Sequence, residues 1–184
     1  AEGLSRRGHE VYFLLREQAS LRLLHPEASY WRDLGPKKNW RAALEKVLFP
    51  ERKRAREATV VHAFHNAAVK ALAWWGLFWR PRGVAVFAHR GVVFRPGNPL
   101  PYWSPGIDCF IANSQACAAV LHGIGVSRKR LEVVYNVVPT ERVTPGRPAA
   151  AVREELGLGP GFVFGCVAGE SEVKGVDVLF KAYA

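Results

Sequence analysis

Short runs of apolar, β-branched or aromatic residues recur along the chain: VYFLL at 11–15, VVHAF at 60–64, VAVFA at 84–88, IDCFIA at 107–112, LEVVY at 131–135 and FVFGCVA at 162–168. From the second run onward their starts lie 24, 23, 24 and 31 residues apart. That interval accommodates a strand, a loop, a helix and a second loop. The runs are continuous rather than alternating, the pattern of strands covered on both faces. Between them the apolar period changes. Cys117, Val120, Leu121 and Ile124 fall at helical spacing behind Ser114, an N-cap side chain, and Gly125 supplies the stop. Val176, Leu179, Phe180 and Tyr183 repeat that spacing near the end. Strands alternating with helices at this pitch predict an α/β fold with a doubly wound parallel sheet.

Two stretches interrupt the rhythm. Pro139 to Pro148 is rich in proline, threonine and arginine and reads as a linker. It sets a domain boundary near residue 143. Residues 1–143 then form one Rossmann-like layer, and 144–184 open a second with a helix at Ala149–Leu156, a Gly157 cap, a turn at Gly159–Gly161 and a fresh strand. Residues 90–106 hold four prolines and three glycines, which predicts no regular element. A long loop at the carboxyl end of a parallel strand is a common place for a ligand, the alternative being a stiffened connection with no contacts. The chain opens in what reads as a helix closing at Arg6–Arg7–Gly8, stops at Ala184 within another, and contains no methionine. The expectation is a piece of a longer protein, with both domains truncated.

Composition narrows the class. Hydrophobic residues make up 49% and charged residues 23% of the 184, so wholesale disorder is excluded. No apolar run reaches the ~18 residues of a membrane span; the nearest, Ala67–Trp79, is interrupted by Lys70. No secretory leader pattern opens the chain. Lys and Arg number 26 against 16 Asp and Glu, a net charge of +10, which suits a polyanionic partner. The basic residues are spread out, the densest stretch being Arg52–Arg56 between Glu51 and Glu57. Cys109, Cys117 and Cys166 fit no zinc spacing and lie in apolar runs, as reduced, buried cytosolic cysteines do.

Three groups of residues could carry chemistry. His62-x-x-His65 ends the second run, and His89-Arg90-Gly91 ends the third. Parallel strands would bring both ends to one crevice. His62, inside its strand, reads as a packed core histidine, whereas His65 and His89 are placed to hydrogen-bond a substrate. Without a carboxylate or cysteine at ligand spacing, no metal site is expected. Lys174-Gly175 opens the last helix, where free amides, the helix dipole and an ammonium suit a phosphate. The glycine spacing of a Walker A loop is missing. Trp74, Trp75, Phe78 and Trp79, followed by Arg80 and Arg82, read as a core helix or as a contact with a membrane or a protein. Bases stacked on these indoles would be a nucleic-acid reading, but no nucleic-acid-binding motif accompanies them.

Four collinear segments carry a resemblance. LSRRGHEVYFLL (4–15), TVVHAFHNAA (59–68), IDCFIANSQACAAVLHGIGVSRKRLEVVYNVVP (107–139) and VREELGLGPGFVFGCVAGESEVKGVDVLFKAYA (152–184) are similar to the family-four glycosyltransferases. The resemblance implies the two-domain GT-B fold and transfer of a sugar, with retention and without metal or other cofactor, from a nucleotide-sugar donor to a glycan or lipid-linked acceptor. It implies a hexosyltransferase of cell-envelope polysaccharide synthesis. Such an enzyme would be cytoplasmic, with peripheral contact to the anionic inner face of the membrane and no nucleic-acid partner. By its matches His89 is the catalytic histidine, and Lys174 with Gly175 binds the donor diphosphate. His65, Arg90 and Arg95 line the cleft or the acceptor site. Gly169 stands where the family has an arginine about five residues before the lysine, which leaves Lys174 alone or aided by Arg90. The family's glutamate pair and first glycine-rich loop have no counterpart in these residues, so the chain alone is expected to be inactive. A GT-B sugar-nucleotide epimerase and a basic, non-catalytic module for nucleic acid or anionic membrane are the other readings.

Overall fold

The computed structural model describes residues 2–15, 31–33, 39–49, 59–169 and 174–183. The basic stretch at 52–56 and Val173 of the lysine–glycine motif lie outside them. The chain divides into two compact units, Ala1–Asn136 and Val137–Ala184.

The first unit opens with α1 (Glu2–Ser5) and a turn that closes at Gly8, whose φ of +83° favours glycine. Strands β1 (Phe13–Leu15) and β2 (Trp31–Asp33) pair in parallel. Helix α2 (Trp40–Leu48) follows. The larger sheet contains β3 (Thr59–Ala63), β4 (Val84–Arg90), β5 (Cys109–Ala112) and β6 (Leu131–Val133), all parallel and in that order. These are the four apolar runs of even pitch. A parallel neighbour needs a crossover, and α3 (Asn66–Trp79) and α5 (Gln115–Gly123) supply two of them. Ser114 Oγ accepts from the Cys117 amide 3.2 Å away to start α5. Gly125, at φ +96°, ends it, with the Val126 amide reaching back to the Leu121 carbonyl.

One face of the sheet is sealed. Val84, Val86 and Ala88 of β4 and Phe110 of β5 form a single core with Val69, Leu72, Ala73 and Trp79 of α3 and Leu121 of α5. Burying several large side chains against one face, each worth about 1.5–3 kcal/mol, is what holds the helices there. The opposite face carries Ala85, Phe87 and His89, which are only half-buried. The aromatic cluster of α3 divides in the same way. Trp79 is fully buried and donates from Nε1 to Glu45 at 3.0 Å, Trp75 packs against the core, and Trp74 and Phe78 are exposed.

The structure corrects three expectations. Residues 90–106 contain one helical turn, α4 (Leu100–Trp103), because Pro99 and Pro101 sit at its start, where a missing amide proton costs nothing. In the second unit, helices α6 (Ala149–Glu155) and α7 (Val176–Tyr183) form, but the expected strand at 162–168 does not. Phe162, Phe164 and Val167 are exposed, and no described strand lies beside them to complete a ladder. A strand's hydrogen bonds are all to neighbours, so apolar sequence alone does not make one. For the same reason Cys166 is exposed rather than buried, while Cys117 is buried and Cys109 half-buried.

Candidate active site

The carboxyl ends of β3 and β4 bring three rings together. The ring centroids of His62 and Phe64 lie 4.1 Å apart, those of Phe64 and His89 5.5 Å, and those of His62 and His89 6.2 Å. His62 lies opposite Phe87 in the ladder, on the half-buried face. Its Nε2 is buried without a hydrogen-bond partner. Burial first, and then the nearby His89, hold the His62 imidazole below its ordinary value and so favour the neutral ring. His65 has a local task. Its Nδ1 accepts from the Ala67 amide at 3.2 Å, capping α3.

The loop between β4 and β5 is held from several sides. Arg90, only 4% exposed, sends Nε to the Val92 carbonyl at 3.1 Å, Nη1 to the Tyr102 hydroxyl at 3.1 Å and Nη2 to the Phe94 carbonyl. A guanidinium presents donors in a fixed fork, and here they set the loop's path. Ser104 Oγ donates to the Ala73 carbonyl and accepts from the Gly106 amide. Arg130 Nη2 bonds the Ser104 and Ile107 carbonyls at 2.6 and 2.7 Å. Asp108 accepts from the Val86 amide at 2.8 Å and pairs with Arg80 at 2.6 Å. The loop so fixed exposes Val92, Val93, Phe94 and Arg95 beside His89.

Gly91 and Asn113 complete this corner. The Asn113 amide donates to the Arg90 carbonyl at 3.1 Å, and its side-chain Oδ1 lies 3.2 Å from the Cys117 thiol. A Cβ on Gly91 would stand 3.2 Å from Asn113 Nδ2 and 3.5 Å from His89 Nε2. In the second unit, Lys174 is exposed and precedes Gly175, whose φ of +63° turns the chain into α7. An open, mostly apolar groove of about 880 Å³ in that unit is lined by Pro148, Val152, Leu156 and Val163 together with Arg147 and Arg153. It contains no acid or base and no nucleophile.

The glycosyltransferase family 4 model matches residues 1–142. The chain belongs to this family. A comparison with curated proteins returns no match. Membership supports a glycosyltransferase acting on a sugar donor and an acceptor in general terms, on an α/β scaffold with a parallel sheet. Among the described residues no helix is long and apolar enough to cross a membrane, and no three His, Cys, Asp or Glu side chains gather as a metal set.

On this family-4 scaffold the residues singled out in the sequence separate. His89 is half-buried at the strand end, beside His62 and Phe64. His65 serves as the cap of α3. Arg90 faces inward and organises the loop instead of lining a cleft, because alternate β4 residues point to the sealed face. Arg95 is exposed on the loop, and Lys174 and Gly175 belong to the second unit. Sequence reasoning named Gly91 within His89-Arg90-Gly91 but gave it no role, although glycine at a strand end is a signal of close approach. It passed over Asn113, the residue before the helix cap.

Proposed function

We propose that residues 1–143 form the acceptor-side domain of a retaining glycosyltransferase and that residues 144–184 open its donor-binding domain. The enzyme moves a hexosyl group from a nucleotide sugar to a glycan or lipid-linked acceptor of the cell envelope. The observation that carries this reading is the position of His89. It is half-buried at the carboxyl end of β4, beside two aromatic rings and at the root of a loop pinned by Arg90, in a chain of this family. A ligand at the carboxyl ends of parallel strands meets such groups first.

The chemistry divides between the two units. His89 hydrogen-bonds a sugar hydroxyl, fixing the sugar against the attacking group; orientation of this kind is a large part of the catalysis. Lys174, before the amino end of α7, stabilises the departing diphosphate as its charge grows, with Gly175 leaving the backbone amides accessible. Gly169 in place of an arginine leaves Lys174 as the cation of that motif. The exposed Val92, Val93 and Phe94 favour an acceptor with an apolar portion, as a lipid carrier has. The +10 charge and the exposed Trp74 and Phe78 favour a cytoplasmic enzyme resting on an anionic membrane face. The chain alone is not expected to turn over, since no described strand beneath Lys174 forms a sheet to position it. The test is His89→Ala in the complete enzyme, assayed by diphosphate release across several nucleotide sugars. A fall in kcat/KM of about 100-fold or more is expected, the scale of losing a positioned catalytic group. Unchanged kinetics in a folded variant would refute the assignment.

A further inference from the structure

We propose that Asn113 and His89 together form a two-point site for one hydroxyl of the substrate sugar, entered over Gly91 and held in register by Cys117. The inference rests on the reading of this cleft as a sugar site and adds to it a residue and a selectivity. The argument begins at Gly91. Its φ does not lie in the left-handed region, so the backbone does not require glycine there. What glycine provides is space, because a Cβ would come within 3.2 Å of Asn113 Nδ2 and 3.5 Å of His89 Nε2. Both nitrogens therefore face the space beside the Gly91 α-carbon, where one small group lying over that carbon can reach the two. Gly91 is exposed, and Asn113 and His89 are half-buried, so the space opens to solvent.

The two nitrogens ask for one kind of group. Asn113 Oδ1 is engaged by the Cys117 thiol at 3.2 Å, which turns the amide nitrogen, a donor, toward Gly91. His89 Nε2 accepts a hydrogen bond in the tautomer that carries its hydrogen on Nδ1. A donor beside an acceptor is satisfied by a group that both accepts and donates. A hydroxyl does so, whereas an ionised phosphate or carboxylate only accepts. The frame around the pair is rigid. The Asn113 amide is bonded to the Arg90 carbonyl, Ser114 caps α5, and Cys117, 2% exposed, packs with Ala112 and Ala118. Cys117 is thus a positioning residue that acts through Asn113.

The experiment uses the isotope-labelled chain and NMR. It follows the Asn113 side-chain amide and the His89 ring during titration with methyl α-D-glucopyranoside, methyl α-D-mannopyranoside, UDP-glucose and GDP-mannose, each beside its mono-deoxy analogues. At least one sugar is expected to shift both groups. Asn113→Ala and Gly91→Ala should each weaken that sugar about 10-fold, with Gly91→Ala keeping the wild-type melting temperature. One deoxy analogue should bind wild type as weakly as the parent sugar binds Asn113→Ala, with no further loss when the two changes are combined. Cys117→Ala should weaken binding, and Cys117→Ser, which keeps a donor, should restore it. A sugar that shifts His89 yet binds Asn113→Ala and Gly91→Ala at full strength overturns this inference alone. If no sugar shifts any resonance of the wild-type chain, the sugar-site reading falls, and this inference with it.

Discussion

Helix α3 and the loop before β5 cross at two glycines, and the crossing makes a sharp prediction for Gly76→Ala. Gly76 is buried within α3, where intrinsic propensity alone favours alanine by about 1 kcal/mol. The structure opposes it. A Cβ on Gly76 would lie 1.9 Å from the Gly106 carbonyl oxygen and 2.7 Å from its carbon, and one on Gly106 would lie 2.2 Å from the Ala73 oxygen. These neighbours are backbone and cannot swing aside. Relief requires the loop to retreat by roughly 1 Å, the kind of overpacking that costs about 1–3 kcal/mol. The same retreat loosens the bonds from Ser104 Oγ to the Ala73 carbonyl and from the Gly106 amide to Ser104 Oγ, each worth about 1 kcal/mol. Net destabilisation of about 2–4 kcal/mol is expected once the propensity gain is set against these losses.

The assay is urea unfolding followed by tryptophan fluorescence, to which the buried Trp79 and the neighbouring Trp75, with ring centroids 5.6 Å apart, report from the same helix. The midpoint should fall by about 1 M or more. Gly123→Ala is the control. It lies in the last turn of α5 with nothing within 4 Å of a Cβ and no left-handed φ, so it should gain about 0.5–1 kcal/mol. Propensity by itself predicts the same sign for both substitutions, whereas the crossing predicts opposite signs. A Gly76→Ala protein as stable as wild type would show that the crossing does not constrain the loop.

Three further outcomes are expected. Arg90→Leu and Arg90→Lys should both speed amide exchange across residues 92–103, read by mass spectrometry, since neither side chain can bond the Val92, Phe94 and Tyr102 oxygens together; unchanged exchange would refute the pinning. His62 has a folded-state value below its ordinary 6.5, so wild-type stability should be complete above that pH and fall as pH drops through the depressed value. His62→Phe should remove this part of the slope between pH 7.5 and 5, and identical urea midpoint profiles for the two proteins would refute it. Trp74→Ser with Phe78→Ser should reduce sedimentation with anionic vesicles without altering the fold, because both rings are exposed. Wild-type binding that ignores both salt and anionic lipid would remove the membrane contact.

What the sequence made legible was what neighbouring residues settle between themselves. The Ser114 cap and the Gly125 stop of α5 are local, and both were read correctly. The runs that became β3 to β6 declared themselves through apolar, β-branched residues at even pitch. The run at 162–168 had the same composition and formed no strand, because no described strand lies beside it to complete a ladder. The capping role of His65 was not legible either, since it depends on its Nδ1 meeting the Ala67 amide at the first turn of α3. The single turn at Leu100–Trp103 was hidden by prolines that act as stops within a helix and as starters at its first positions.

Arg90 is the most instructive misreading, and it explains how the site is built. The strand was expected to end at His89, which set His89 and Arg90 together at its end facing one cleft. It runs to Arg90 instead, and in a strand adjacent residues must face opposite ways. Val84, Val86 and Ala88 are buried, so the next residue of that parity, Arg90, turns inward too, and His89 turns to the half-buried face. A guanidinium facing inward finds the Val92 and Phe94 carbonyls and the Tyr102 hydroxyl, all in the loop it then organises. One more residue of strand thus sets the two side chains on opposite faces, His89 on the half-buried face and Arg90 fixing the loop beside it. The division is measurable. Loss of His89 should lower turnover and leave loop exchange unchanged, whereas loss of Arg90 should change both. Under the proposed function, only the second residue would act on substrate through the loop.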